Sequence, residues 1–98
     1  MYFMIIGRDG KDDQALTRRK IARPQHLALA EHNIEKGILL FGGAMLDDDG
    51  NMIGSMMVFK FNDRAACDEY LKSEPYVTGN VWHEIEVKPC QPAQAFAK

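Results

Sequence analysis

The chain has 98 residues, which suits one domain, and we expect residues 1–98 to form it. Apolar residues make up 46% of the sequence, a share that excludes an intrinsically disordered chain. The net charge of −2 argues against a nucleic acid or a membrane surface as partner, and no stretch is apolar enough to cross a bilayer. The two cysteines lack the CxxC spacing, so we expect a reduced, cytoplasmic setting.

The N-terminal part of the chain predicts a strand followed by helical segments. Residues 2–6 are apolar at every position, as in a strand that is covered on both faces. Residues 14–22 have helical composition, but a proline inside a helix removes a hydrogen bond. We therefore predict a short or kinked segment before Pro24 and a second helix that starts near this proline.

The second helical segment carries an apolar stripe formed by Leu27, Ala30 and Ile34, which we expect to face the core. His26 lies at the margin of this stripe, so its side chain is predicted to be neither fully exposed nor central to the core. Gly37 ends the helix as a left-handed cap.

A β-hairpin is predicted next. Residues 38–46 form its first strand, in which Gly42 and Gly43 indicate a bulge or a close approach by another group. The Asp49-Gly50 pair is a strong signal for the turn, and residues 55–61 return as the second strand. This second strand presents large apolar side chains on both of its faces.

The C-terminal third predicts one helix and one strand. Asn62 or Asp63 caps a helix that runs to about Ser73. Residues 81–87 then alternate, which predicts a strand with Trp82 on the face opposite its apolar residues, and the tail beyond it is expected to be irregular.

The predicted element order is therefore βαββαβ, which indicates a ferredoxin-like α+β fold with a four-stranded antiparallel sheet. Two helices can cover only one face of such a sheet. The first and third strands nevertheless carry apolar side chains on both faces, so the uncovered face requires a partner. We predict a homodimer in the form of a dimeric α+β barrel.

A histidine and a carboxylate form the candidate proton-transfer site. Glu74 would project from the inner face of the last helix if that helix continued to it, and a buried carboxylate requires a partner. His26 is the natural partner because a carboxylate can orient a histidine and stabilise its charged form. The alternatives are a boundary histidine that bonds to backbone and a surface acid at the end of a helix.

The remaining polar motifs suggest little further chemistry. The basic cluster of Arg18, Arg19, Lys20 and Arg23 is interpreted as a solvated helix face, or as the source of one arginine that holds an anionic substrate group. Three dispersed histidines give no zinc motif. The acidic run at Asp47 lacks the glycine and glutamate of a calcium loop, so we predict neither a metal nor a cofactor.

In combination, these residues resemble the YciI-like proteins of the YCII-related domain family over nearly the whole chain. The segments that carry the resemblance are Arg23-Pro24-Gln25-His26-Leu27, Gly42-Gly43-Ala44, Met56-Met57-Val58-Phe59 and Pro75-Tyr76-Val77. The resemblance implies a dimeric ferredoxin-like fold with a His–Asp active site. His26 matches the family histidine, whereas Glu74 stands where the family usually has the aspartate and adds one methylene.

The resemblance also implies a class of chemistry, namely lyase-type activity on a chlorinated hydroxyquinol. We therefore expect an enzyme without cofactor that transfers protons on a small aromatic or enol-type molecule through His26 and Glu74, in a lyase-, dehydrochlorinase- or isomerase-like reaction. Arg23, Tyr76 and the Gly42-Gly43 backbone are expected to line its pocket. Two alternatives are a ligand-binding or regulatory dimer without turnover and a purely structural dimer.

Overall fold

The computed structural model describes residues 1–96. The predicted domain and its irregular tail also include positions 97 and 98, which lie outside the described residues. The elements in chain order are β1 (Tyr2–Asp9), α1 (Ala15–Glu35), β2 (Leu39–Leu46), β3 (Met52–Lys60), α2 (Arg64–Leu71), α3 (Pro75–Thr78) and β4 (Trp82–Cys90). All four strands are antiparallel to their neighbours and form a sheet with the order β2-β3-β1-β4. The predicted ferredoxin-like α+β fold is therefore confirmed, with the short α3 as an addition.

The two faces of the central strands differ in their surroundings. On the inner face, Phe3 pairs with Phe59 and Ile5 pairs with Met57, and all four are buried in the core beside the helices. On the outer face, Met4 pairs with Val58 and Ile6 with Met56, all at least partly exposed. No helix within residues 1–96 has the length and hydropathy required to span a membrane.

The predicted break at Pro24 is wrong, because α1 runs without interruption from Ala15 to Glu35 with Pro24 inside it. Proline removes the one hydrogen bond to Lys20, but its fixed φ is compatible with a helix. Both residues are exposed, so the freed carbonyl lies on the solvent side. Ala22 and His26, buried on either side of the proline, hold the helix against the rest of the protein.

The predicted inner stripe of α1 is also wrong, since Leu27 and Ile34 are exposed and Ala30 is only partly buried. The buried face consists instead of small and polar side chains, which are Ala15, Arg19, Ala22, His26 and Asn33. Polar side chains can lie on this buried face because Arg19 and His26 have hydrogen-bond partners inside the protein. A search for apolar residues at helical spacing therefore could not identify the buried face of α1.

The second helical region ends earlier than predicted. Asp63 caps α2 as expected, since its side chain accepts a hydrogen bond from the backbone N–H of Ala66, but the helix ends at Leu71. Glu74 does not extend α2. It is the N-cap of α3, with Pro75 at the first helical position, where a missing N–H has no consequence.

A register shift in β4 changes the predicted face of Trp82. Arg8 pairs with Glu84 but Asp9 pairs with Trp82, so His83 is an extra residue in a β-bulge. The bulge returns Trp82 to the inner face, where the ring packs against Gly7 and is buried. The alternation of His83 with the apolar positions of the strand predicts a packing or pocket-lining residue, and this prediction is wrong, because His83 is exposed and its ring contacts Arg18.

We predict that Gly7→Ala destabilises the protein by about 1–3 kcal/mol, the usual cost of overpacking a core. A Cβ at this position would overlap the Trp82 ring. Gly43→Ala is the matched control, because its Cβ would lie 3.8 Å from the Met56 side chain in ordinary contact. Urea denaturation measures both; equal free energies of unfolding for the two variants would contradict the prediction.

Candidate functional site

A pocket of about 300 Å³ lies between α1 and the inner face of the β2–β3 side of the sheet. This volume is at the lower end of the range for small-molecule sites. Its apolar lining comes from both sides, with Leu27, Ala30 and Ile34 on α1 and Leu39, Met52 and Met57 on the sheet. The polar side chains that line the pocket are Arg19, Arg23, His26, Glu31 and Ser55.

His26 and Glu74 are in direct contact. Nδ1 of His26 is hydrogen-bonded to Oε1 of Glu74, and because an ionised carboxylate can only accept, Nδ1–H is the donor. The two residues are 8% and 0% exposed, respectively, so the alternative of a surface acid at the end of a helix is wrong. The approach of the two side chains was predicted from the sequence and is confirmed, whereas their role in chemistry stays a prediction.

The Glu74 carboxylate has a donor for each of its oxygens. Besides His26, the backbone N–H of Tyr76 donates to Oε1 at 3.2 Å, and the hydroxyl of Tyr70 donates to Oε2. Three hydrogen bonds stabilise a charge that would otherwise be expensive to bury. Glu74 is the N-cap of α3, and from this position its buried carboxylate lies beside His26 with a hydrogen bond to each of its oxygens.

The imidazole of His26 is held between aromatic rings. Tyr76 stacks on it with ring centroids 3.9 Å apart and an interplanar angle of 13°. Trp82 packs against the same imidazole in a T-shaped arrangement, with ring centroids 6.4 Å apart. With Nδ1 bonded to Glu74, the second ring nitrogen, Nε2, has no hydrogen-bond partner within residues 1–96. A neutral His26 in this arrangement carries its proton on Nδ1 and leaves Nε2 free to accept another.

A second buried polar cluster contributes to the pocket. Two hydrogen bonds of 3.0 and 3.1 Å join the Arg19 guanidinium to the Asp9 carboxylate, and its other terminal nitrogen donates to Ser55 Oγ at 2.9 Å. Trp82 Nε1 donates to the same Ser55 oxygen at 3.3 Å. The guanidinium also lies 4.6 Å above the centroid of the Tyr76 ring.

This cluster provides hydrogen-bond donors to the pocket. Ser55 accepts two hydrogen bonds, so the proton of its hydroxyl remains free to donate. Arg19 is 3% exposed, and its Nε has no partner within residues 1–96. Burial raises the pKa of the Asp9 carboxyl, while the adjacent Arg19 opposes that shift. The arrangement suits an oxygen substituent that carries negative charge.

Sequence reasoning missed most of this cluster. The interpretation of the basic run as a solvated face is wrong for Arg19, which lies two helical turns before His26 on the same face of α1. That spacing was an available signal. Asp9 and Ser55 carry no comparable signal, because only the pairing of β1 with β3 and the approach of α1 bring them together.

The other predicted site residues also line the pocket. Arg23 is exposed at its rim, and Gly42, Gly43 and Tyr76 form part of its surface. A Cβ at Gly42 would lie 3.7 Å from the Met57 side chain, so no tight contact with the rest of the protein requires glycine there. The lack of a side chain at Gly42 leaves room in the pocket instead, and the predicted binding role of these residues stays a prediction.

Both a protein family and individual relatives match this chain. The model of the YCII-related domain matches residues 1–91. The chain belongs to the YCII-related domain family. Protein YciI of Escherichia coli O6:H1 is 30% identical over 95 residues, which cover 91% of this chain and 95% of the relative. Protein YciI of Shigella flexneri matches to the same extent. The family predicted from the sequence motifs is thus confirmed.

Solved structures share the fold. The structure of 5-chloro-2-hydroxyhydroquinone dehydrochlorinase, TftG, from Burkholderia phenoliruptrix, in complex with 2,5-dihydroxybenzoquinone, matches with a TM-score of 0.81 at 21% identity, over 97% of this chain and 98% of that chain. Rv0793 from Mycobacterium tuberculosis matches with a TM-score of 0.64 at 13% identity, over 96% and 99% of the two chains. At such identities the likeness shows a common fold.

We predict that Asp9→Asn destabilises the protein by about 3–5 kcal/mol, because removal of one charge leaves the buried Arg19 without its counter-ion. Asp12→Asn is the matched control, since it removes a carboxylate that pairs with Arg18 near the surface, and its effect should be much smaller. Thermal and urea denaturation compare the two. A small effect of Asp9→Asn would show that the buried ion pair contributes little to folding.

Proposed function

We propose that this protein is a cofactor-independent enzyme that transfers protons on a small aromatic or enol-type molecule, in a lyase-, dehydrochlorinase- or isomerase-like reaction. The observation that carries the proposal is the hydrogen bond from His26 Nδ1 to the buried Glu74, which leaves Nε2 of the pocket-lining histidine as a base. A base near neutral pH suits the removal of a proton from a hydroxyl group or an activated carbon.

Each polar group has a role in the proposed reaction. His26 Nε2 takes the proton, and Glu74 stabilises the imidazolium that forms and keeps the ring oriented. The negative charge that develops on the substrate oxygen is stabilised by the donors of Arg19 and Ser55. Because both donors are already fixed by Asp9 and Trp82, little reorganisation accompanies the reaction. The imidazolium then returns its proton to the substrate or to solvent.

The pocket surface supports a small, flat and partly polar substrate. Tyr76 and the Met57 side chain provide apolar contacts, and the Gly42-Gly43 strand leaves room for a ring. Arg23 at the rim is free to contact an anionic substituent. The dehydrochlorinase of the same fold binds 2,5-dihydroxybenzoquinone, which has this shape and acidic oxygens, and that complex supports the substrate class.

We predict that an assay with 5-chloro-2-hydroxyhydroquinone and related catechols, hydroxyquinols and lactones detects turnover by this protein. Loss of HCl from the chlorinated compound would release one proton and one chloride per molecule, which a chloride assay measures. The His26→Ala variant should lose about 10²–10⁴-fold in rate, as expected on removal of a general base. His32→Ala is the matched control, because His32 is an exposed histidine of the same helix.

The binding-module alternative gives a different result in the same experiment. Calorimetry with 2,5-dihydroxybenzoquinone would detect binding in the pocket, while no compound would be consumed by the wild-type protein. Turnover that survives His26→Ala would contradict the proposed role of the histidine. Absence of both turnover and binding would leave a structural dimer as the better description.

We also propose that the chain forms a homodimer through the outer face of the sheet, in the manner of a dimeric α+β barrel. Met4 and Ile6 on β1 and Met56 and Val58 on β3 form an apolar surface there, which no helix within residues 1–96 covers. Phe41, which pairs with Val58, extends this surface onto β2. Contiguous apolar surface of this kind is typical of subunit contacts.

We predict a dimer mass for the wild-type protein in light scattering at micromolar concentration. Val58→Lys should give a monomer, because Val58 lies between Met4 and Phe41 and a charge in this apolar contact has no partner. Ile21→Lys is the control, since Ile21 is 75% exposed on α1, away from the sheet. A monomeric wild-type protein would refute the proposed dimer.

A further inference from the structure

Tyr70 lies beyond the pocket, on the far side of Glu74 from His26. Its hydroxyl donates to Oε2 of Glu74, and His26 donates to Oε1 of the same carboxylate. Tyr70 is not among the residues that line the pocket, so it does not reach a bound molecule there. It can act on chemistry in the pocket only through the carboxylate.

The Tyr70 ring is fixed by its neighbours. It packs against Phe59 with centroids 4.5 Å apart and against Phe61 at 5.8 Å. Burial, followed by the nearby Glu74 carboxylate, raises the pKa of Tyr70 well above its usual value. The hydroxyl therefore stays protonated and remains a donor at neutral pH.

A glutamate in this position requires such a donor. The terminal torsion of a glutamate side chain is broad, so the carboxylate can rotate and exchange its two oxygens unless each has its own partner. Oε1 accepts from His26 and from the backbone N–H of Tyr76, whereas Tyr70 is the donor found on Oε2 within residues 1–96. Removal of the Tyr70 hydroxyl would leave Oε2 buried without a donor.

We propose that Tyr70 is a positioning residue, which fixes the Glu74 carboxylate so that Oε1 faces His26 and the imidazole keeps its proton on Nδ1. Nε2 is thereby held as the bare nitrogen that accepts a proton in the pocket. The kinetic part of this inference rests on the proposed function, but the state of the imidazole can be measured without any substrate.

The test is Tyr70→Phe, which removes one oxygen and retains the ring that packs on Phe59. In ¹⁵N NMR of the neutral histidine, the wild-type His26 should show a protonated Nδ1 and a bare Nε2. Tyr70→Phe should give a mixture of the two tautomers. Tyr2→Phe is the matched control, since Tyr2 lies on the outer face of the sheet and should leave the His26 spectrum unchanged.

A second variant retains the hydroxyl, so it tests the proposal even if Tyr70→Phe does not fold. Site-specific 3-fluorotyrosine at position 70 is a stronger donor, so it should draw charge from Glu74 and move the Nδ1–H proton resonance of His26 upfield. A tyrosine that only fills space would leave this resonance unmoved. An unmoved resonance, or an unchanged tautomer in a folded Tyr70→Phe variant, would overturn the proposal.

Kinetics provide the third readout. With a substrate found as above, Tyr70→Phe should lower kcat by about 10–100-fold with little change in KM. The loss of a hydrogen-bond partner that orients a site residue commonly has an effect of this size. Equal kcat in Tyr70→Phe and the wild-type protein would overturn the proposal. If no substrate is turned over, the proposed function fails while the tautomer measurement still decides the role of Tyr70.

Discussion

The structure around the pocket depends on one constraint, the burial of the Glu74 carboxylate with no exposure to solvent. A buried charge without partners is strongly destabilising, so the fold must supply donors on every side of this group. It does so from separate elements. The imidazole of His26 comes from α1, the hydroxyl of Tyr70 from α2 and a backbone N–H from α3. The carboxylate thus joins three helices at one point and fixes the histidine that lines the pocket.

The buried ion pair between Asp9 and Arg19 is connected to the hydrogen-bonded His26 and Glu74 by aromatic rings. Tyr76 stacks on the His26 imidazole and also lies beneath the Arg19 guanidinium. Trp82 packs against His26 and donates to Ser55. The base and the oxyanion donors of the proposed reaction are therefore positioned by the same two rings. A change at either ring would disturb both parts of the site, which is why we regard the two clusters as one unit.

Most of the fold follows from local sequence patterns, because strands and helices are formed by short-range signals. The apolar run of β1, the Asp49-Gly50 turn and the Asp63 cap predicted their elements, and the βαββαβ order then left few topologies. Two of the wrong predictions each concern a single residue. Proline was tolerated within α1 because its neighbours Ala22 and His26 are anchored in the core. A bulge of one residue reversed the face of Trp82, and no alternation pattern contains that information.

The family, the order of the four strands and two main helices, and the contact between His26 and Glu74 could be predicted from the sequence. These properties reside in residue types and short spacings. Which polar residues are buried, by contrast, depends on how the elements pack together. Arg19 resembles its exposed neighbours in the sequence, yet it is buried because Asp9 and Ser55, distant in the chain, provide its partners. Burial of a charge depends on contacts between elements, and the pairing of strands and helices that creates those contacts is a property of the folded chain.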